Sequence, residues 1–227
     1  MPKWSQMVMQ DSVSPSMSYI SSFHDYMILT MMLVLSVIGY VLISLMSSGF
    51  TDRYILEAQE VETVWTIIPA IILIAMAVPS IQILYMVDEV VDPKLTIKSI
   101  GHQWYWSYQY GDFPFITFDS YMLPTDELEM YDYRLLEVDN RLVLPMKQEV
   151  RMVISSADVI HSWTVPSLGV KLDAVPGRLN QVSMYMMKPG VYYGQCSEIC
   201  GVNHSFMPIC IESISSADFI LWVKTYL

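Results

Sequence analysis

Cysteine and basic residues are both scarce in this chain of 227 residues. Its three cysteines cannot form an even set of disulfides, and two of them lie four positions apart, so they point to chemistry rather than to cross-linking. Lysine and arginine total 12 against 23 aspartates and glutamates, and the formal net charge is -11. Because so acidic a chain repels nucleic acid and attracts basic partners, we expect no nucleic-acid function.

Two long segments contain no charged residue, and they predict membrane spans at about 26–46 and 63–87. Pro69 and Pro79 in the second segment are tolerated better by a membrane helix than by a soluble one. Core helices of a soluble protein are the alternative. Residues 1–25 resemble neither a transit peptide nor a signal sequence. We therefore expect a permanent two-helix transmembrane hairpin within an N-terminal domain, 1–91, although the mixed charges of loop 47–63 give no orientation.

Short β-rich runs separated by turn formers follow from residue 92 onward. They predict an all-β antiparallel sandwich or barrel in a second domain, 92–227. The tail from Ser215 predicts a short helix, with Ser215 and Asp218 at its N-terminal cap. The predicted strands are 95–100, 104–110, 142–144, 149–156, 180–187, 191–193 and 207–212.

Soft metal donors cluster in segment 193–207, and an earlier histidine can supply one more imidazole. Thiolate and thioether donors select copper, and a second thiolate can bridge two ions, so the set predicts a dinuclear copper centre. A backbone carbonyl near Glu198 is a suitable further weak donor. A structural zinc site and a disulfide between the two nearby cysteines are the alternatives. The predicted side-chain ligands are His161, Cys196, Cys200, His204 and Met207.

The whole chain resembles subunit II of cytochrome c oxidase in its animal mitochondrial form. Beside the two anchors and the copper loop, the resemblance is carried by segments 101–106, 135–140, 161–163, 166–169 and 176–180. It implies a cupredoxin-like Greek-key β-barrel with a short C-terminal helix. It also implies a multi-pass protein of the mitochondrial inner membrane, with the N-terminus and the β-domain in the intermembrane space.

The resemblance further implies two bridged copper ions, the CuA centre, held by the five side chains above and the carbonyl of Glu198. The Glu198 side chain would share a Mg²⁺ ion with subunit I. The chain would accept electrons from reduced cytochrome c and pass them to haem in subunit I. Oxygen reduction to water and proton pumping would belong to the assembled enzyme, because neither predicted span contains a histidine and no Cys-x-x-Cys-His motif is present.

Two further residues match functional positions of that family. Trp104 matches the aromatic residue through which electrons are thought to pass inward. Alternation would place Trp104 and Trp106 on one strand face, where aromatic residues are more often core. Glu62 matches the mouth of a proton channel on the matrix side, although the helix dipole alone favours a carboxylate at a helix N-terminus.

Acidic residues are concentrated between positions 112 and 139, where Arg134 is the single base. Such a run often means only a solvated face, but here it would steer a basic partner such as cytochrome c. Cys210 lies in an apolar run and is expected to be a buried small hydrophobic residue. The predicted docking carboxylates are Asp119, Glu137, Asp139 and Asp158.

Overall fold

Two long apolar helices form one of two compact units, residues 19–85. The computed structural model describes residues 6–54 and 56–227. Helix α1 spans Pro15–Ser47 and helix α2 spans Gln59–Asp88, so both predicted spans lie inside helices. Helix α2, described throughout, buries no residue, and α1 buries only Met17. So much exposed apolar surface is unfavourable in water and fits the hydrocarbon of a bilayer.

The segment before α1 belongs to the other unit, which combines the residues up to Ser18 with Met86–Leu227. The Val13 N–H donates to the Ser167 carbonyl at 3.0 Å, and the Val13 carbonyl accepts from the Met187 N–H at 2.8 Å. The Ser14 hydroxyl donates to the Leu168 carbonyl at 2.6 Å. The N-terminal segment therefore packs on the β-domain, and the domain boundary at residue 91 stays a prediction.

The β-domain contains one five-stranded sheet, β3-β2-β1-β5-β8, one three-stranded sheet, β4-β10-β9, and the pair β6-β7. Strand β1 runs parallel to β5, and β4 runs parallel to β10, whereas the sequence predicted antiparallel pairing throughout. The strands are β1 Leu95–His102, β2 Tyr105–Tyr110, β3 Thr117–Ser120, β4 Leu142–Pro145, β5 Glu149–Ser156, β6 His161–Val165, β7 Val170–Ala174, β8 Asn180–Tyr185, β9 Gly190–Gln195 and β10 Pro208–Ile214.

Alternating side chains fill one large core cluster, and a smaller cluster contains Val138, Tyr193 and Cys210. Strands β1 and β2 show strict alternation of buried and half-buried positions, as a strand with one covered face requires. Trp106 and Trp163 are fully buried. Each such side chain contributes about 2–3 kcal/mol through removal of apolar area from water.

A short helix, α3 Ser216–Lys224, closes the domain. The Ser215 hydroxyl accepts from the Asp218 N–H and caps the helix, as predicted. Phe219 and Val223 are buried on the face toward the core. Phe219 packs at 6.4 Å from the ring of Tyr110, so α3 covers the aromatic side of β2.

Candidate metal centre

Soft donors from separate parts of the β-domain meet at one end of it. His161 begins β6, Cys196 follows β9 directly, and Cys200 lies in the loop between β9 and β10. The Nδ1 or Nε2 atom of His161 and the Sγ atoms of the two cysteines all lie within 4.8 Å of one another. All three residues are buried, and both thiols are free of disulfides. The long loop thus folds back onto the start of β6.

Each thiol faces its own imidazole. The Sγ of Cys196 lies 3.9 Å from the Nδ1 of His161, and the Sγ of Cys200 lies 3.5 Å from the Nδ1 of His204. His161 is fully buried, whereas His204 is only partly covered and lies in the short helix His204–Phe206. The arrangement supplies two sulfur–nitrogen pairs.

Each thiol also has its own weaker donor. The Met207 Sδ atom lies 3.5 Å from the Sγ of Cys200. The carbonyl oxygen of Glu198 lies 3.4 Å from the Sγ of Cys196. The predicted ligand set therefore converges around the two sulfurs, and its soft, mixed donors fit copper.

A carboxylate orients the buried imidazole. The Nε2 of His161 lies 2.8 Å from Oδ1 of Asp158, which leaves Nδ1 to face the metal site. Metal-binding histidines commonly hold their second nitrogen in this way. Burial lowers the pKa of His161, but its contacts with Cys196 and Asp158 raise that pKa above the usual value. Asp158 keeps 33% of its side chain exposed, so its predicted docking role stays a prediction.

The two thiols differ in acidity. Burial alone would raise the pKa of Cys196, but hydrogen bonds with His161 and with the backbone of Glu198 outweigh burial and lower it to about 7. Burial raises the pKa of Cys200, and the neighbouring Cys196 thiolate raises it further. Cys196 therefore loses its proton first. A soft cation bound to both sulfurs would have to displace the second proton.

Glycine allows the two ligand-bearing strands to approach closely. A Cβ atom at Gly194 would lie only 1.9 Å from the Thr164 carbonyl oxygen, so β9 and β6 touch backbone to backbone there. Beyond this contact, the Ser197 N–H donates to the Ser162 carbonyl at 2.9 Å. A Cβ at Gly101 would lie 2.8 Å from the His161 ring. These close approaches bring the histidine and the copper loop together.

Trp104 lies in the turn between β1 and β2, outside either strand. Its indole Nε1 donates to the carbonyl of Cys200 at 3.3 Å, and the side chain is partly exposed. Trp106 is fully buried, with its ring 5.8 Å from that of His161 in an edge-on contact. The predicted common strand face for Trp104 and Trp106 is therefore wrong, because the tight turn interrupts the alternation.

The predicted docking carboxylates fall into different environments. Asp119 and Asp139 are exposed. Glu137 is only 3% exposed, accepts a hydrogen bond from Tyr193 and pairs with Arg141 at 3.2 Å. The carboxylate of Glu137 is therefore already paired within the domain, and its docking role stays a prediction. A count of charges along the chain does not show which side chains point inward.

Two other predicted positions lie at the chain's surface. Glu62 is exposed in the first turn of α2, beside a shallow depression that Gln59, Thr63 and Thr66 also line. Glu198 is half-buried.

Cys210 is 1% exposed, which confirms the prediction of a buried small residue. Gln103 was not predicted from the sequence, although its side-chain amide donates a hydrogen bond to the carbonyl of Cys200.

Two apolar helices precede a cupredoxin-like β-domain, whose buried His/Cys/Cys cluster could hold a metal ion; this combination is consistent with a membrane protein. Comparisons with known proteins agree. The family model "Cytochrome C oxidase subunit II, periplasmic domain" matches residues 95–214, and its transmembrane-domain model matches residues 2–83. The chain belongs to the cytochrome c oxidase subunit II family and is a subunit of an oxidoreductase complex that contains other subunits.

Similar proteins cover the chain along its whole length. Cytochrome c oxidase subunit 2 of Choristoneura rosaceana is 54% identical over 100% of both chains. That of Periplaneta americana is 55% identical over 98% of both. The solved periplasmic domain of subunit II of Bradyrhizobium japonicum is 46% identical, with a TM-score of 0.56, and covers 61% of this chain and 96% of its own. The predicted fold is thereby confirmed.

Proposed function

We propose that this chain accepts electrons from reduced cytochrome c at a dinuclear copper (CuA) centre and passes them to haem in subunit I. It would do so in the mitochondrial inner membrane, where the assembled enzyme reduces oxygen to water and pumps protons. The single observation that carries the proposal is the duplication of the donor set. Each buried thiol has its own imidazole and its own weak donor.

That duplication favours two metal ions over one structural zinc ion. A tetrahedral zinc ion holds four ligands at about 2.0–2.3 Å, so all four donor atoms must lie within about 4 Å of one another. Among the described residues, His161, Cys196 and Cys200 form a group within 4.8 Å, and His204 is not part of it. Two bridged copper ions supply one-electron transfer with little ligand rearrangement.

The residues around the ligands would serve that transfer. Asp158 would hold His161 so that Nδ1 faces the site. Trp104 would form the inlet, because its indole is partly exposed and bonded directly to the backbone of Cys200. The exposed carboxylates Asp119 and Asp139 would attract the basic surface of cytochrome c before contact.

The remaining roles are proposed on the family resemblance. Glu198 would share Mg²⁺ with subunit I through its half-buried side chain. Glu62 would lie at the mouth of a proton channel. The N-terminal segment and the β-domain would share one side of the membrane, the intermembrane space, and the hydrogen bond between Val13 and Ser167 supports this proposal.

Copper content and the paramagnetic resonance spectrum of the full chain test this function. We expect two copper ions per chain and a spectrum in which one unpaired electron is shared between them. Cys200→Ser should abolish that spectrum. Cys210→Ala, at the cysteine outside the site, should leave it intact. A protein with one bound zinc ion and no paramagnetic resonance signal, or a protein with a mononuclear copper spectrum, would refute the proposal.

A further inference from the structure

One residue of the turn between β1 and β2, Gln103, is hydrogen-bonded both to Asp158, which holds His161, and to the backbone of Cys200. The backbone N–H of Gln103 donates to Oδ2 of Asp158 at 2.7 Å, and Oδ1 of the same carboxylate holds His161 at 2.8 Å. The side-chain Nε2 of Gln103 donates to the carbonyl of Cys200 at 2.7 Å. Gln103 therefore connects the His161 loop with the cysteine loop.

Among the described residues, the cysteine loop is also joined to β6 by the Ser197 N–H, which donates to the Ser162 carbonyl at 2.9 Å. Its backbone hydrogen bonds from the His204 N–H to Gly201 and from the Phe206 N–H to Asn203 are local to the loop itself. The carbonyl of Cys200 is bonded to the turn twice, by Gln103 at 2.7 Å and by Trp104 at 3.3 Å. A carbonyl oxygen has two lone pairs, so both bonds can form together.

The turn also packs closely against the loop on one side, although Gln103 remains exposed to solvent. Gly201 has a positive φ of 127°, and a Cβ there would lie 2.9 Å from the Trp104 ring and 3.2 Å from the Gln103 Nε2. The amide of Gln103 is thus held between Gly201 and the carbonyl that it bonds. Movement of this amide would shift the backbone on which the Cys200 sulfur is carried.

We propose that Gln103 is a positioning residue that fixes the distance between the His161 side and the Cys200 side of the metal centre. This inference rests on the proposed copper function. Loss of the side-chain amide leaves the backbone bond to Asp158 in place, and the Cys200 carbonyl keeps only the longer hydrogen bond from Trp104 at 3.3 Å. Residues that orient metal ligands typically account for about 10–100-fold in metal affinity. We therefore expect weaker copper retention without direct loss of a ligand.

The test uses Gln103→Met in the copper-loaded full chain, because methionine has a similar volume but no N–H donor. We expect copper release to a chelator at least about tenfold faster than in the wild type, with altered copper hyperfine splitting. Gln103→Glu should release copper faster still, because its carboxylate would repel the carbonyl. Gln181→Met, at an exposed glutamine on β8, is the matched control and should behave as wild type.

Three results would overturn the inference. The first is copper release and a spectrum within about twofold of wild type in Gln103→Met. The second is a change confined to the KM for cytochrome c, which would make Gln103 a docking contact. The third is faster copper release together with a lower unfolding temperature of the copper-free chain, since that would indicate a general structural role. A wild-type chain without the two-copper spectrum would instead refute the proposed function itself.

Discussion

The substitution Gly194→Ala should separate the histidine side of the metal centre from its cysteine side. A Cβ at this position would lie 1.9 Å from the Thr164 carbonyl oxygen, and real Cβ atoms essentially never come closer than 3.0 Å to such a neighbour. Strands β9 and β6 must therefore move apart by about 1 Å or more. The Cβ atom and the carbonyl oxygen are both fixed by the backbone, so no change of side-chain rotamer can relieve the contact.

The geometry decides how much of the site survives. The His161 Nδ1 and the Cys196 Sγ now lie 3.9 Å apart. One ion with bonds of about 2.0–2.3 Å can bridge two donors separated by at most about 4.6 Å. A further separation of about 1 Å exceeds that limit, so His161 should drop out of the ligand set. Overpacking of this kind also costs about 1–3 kcal/mol of folding free energy.

The assay combines copper content, the resonance spectrum and thermal unfolding of the full chain. We expect loss of the shared-electron spectrum and a midpoint lowered by roughly 3–10 °C. Gly111→Ala is the matched control, because a Cβ there would lie 3.1 Å from the Thr96 carbonyl and needs only a small adjustment. A Gly194→Ala chain with the wild-type spectrum and midpoint would refute the close-approach argument.

Two further predictions concern the weak donor and the docking surface. Met207→Leu should retain copper but raise its reduction potential and slow onward electron transfer, because it removes the thioether 3.5 Å from the Cys200 sulfur; an unchanged potential in a redox titration would contradict the axial role. Asp139→Asn should raise the KM for cytochrome c by about 1.5–5-fold at low salt, the effect of one exposed charge. That difference should vanish at high ionic strength, and a salt-independent change would argue against electrostatic docking.

The sequence predicted the strands that are mainly apolar or aromatic, including the short β4, and it missed β3, β6 and β7. Strand β5 matched the predicted run because four of its first six side chains are apolar, and buried and half-buried positions alternate along those six residues. Strand β7 is only five residues long, and its exposed Lys171 and Asp173 obscure the alternation. The parallel pairing of β1 with β5 has no local signal, because only hairpin turns identify a strand's partner from sequence.

Ligand identity was predictable because the donor types lie together in one loop. The contacts that orient those ligands were not, since they join distant positions. Gln103 is 55 residues from Asp158 and 97 from Cys200 along the chain. Glu137 shows the converse case. Its charge was visible in the sequence, but only the fold reveals that it points inward to Tyr193 and Arg141.

The burial of Cys210 gives the domain an internal reporter of opening. This residue is 1% exposed, and burial raises the pKa of its thiol to about 12. In the folded state the thiol is therefore both protonated and inaccessible to alkylating reagents, which react with the thiolate. When metal occupies the other two cysteines, modification of Cys210 requires strand β10 to separate from its neighbours. The rate of that single reaction therefore measures how often the barrel opens while its metal loop remains closed.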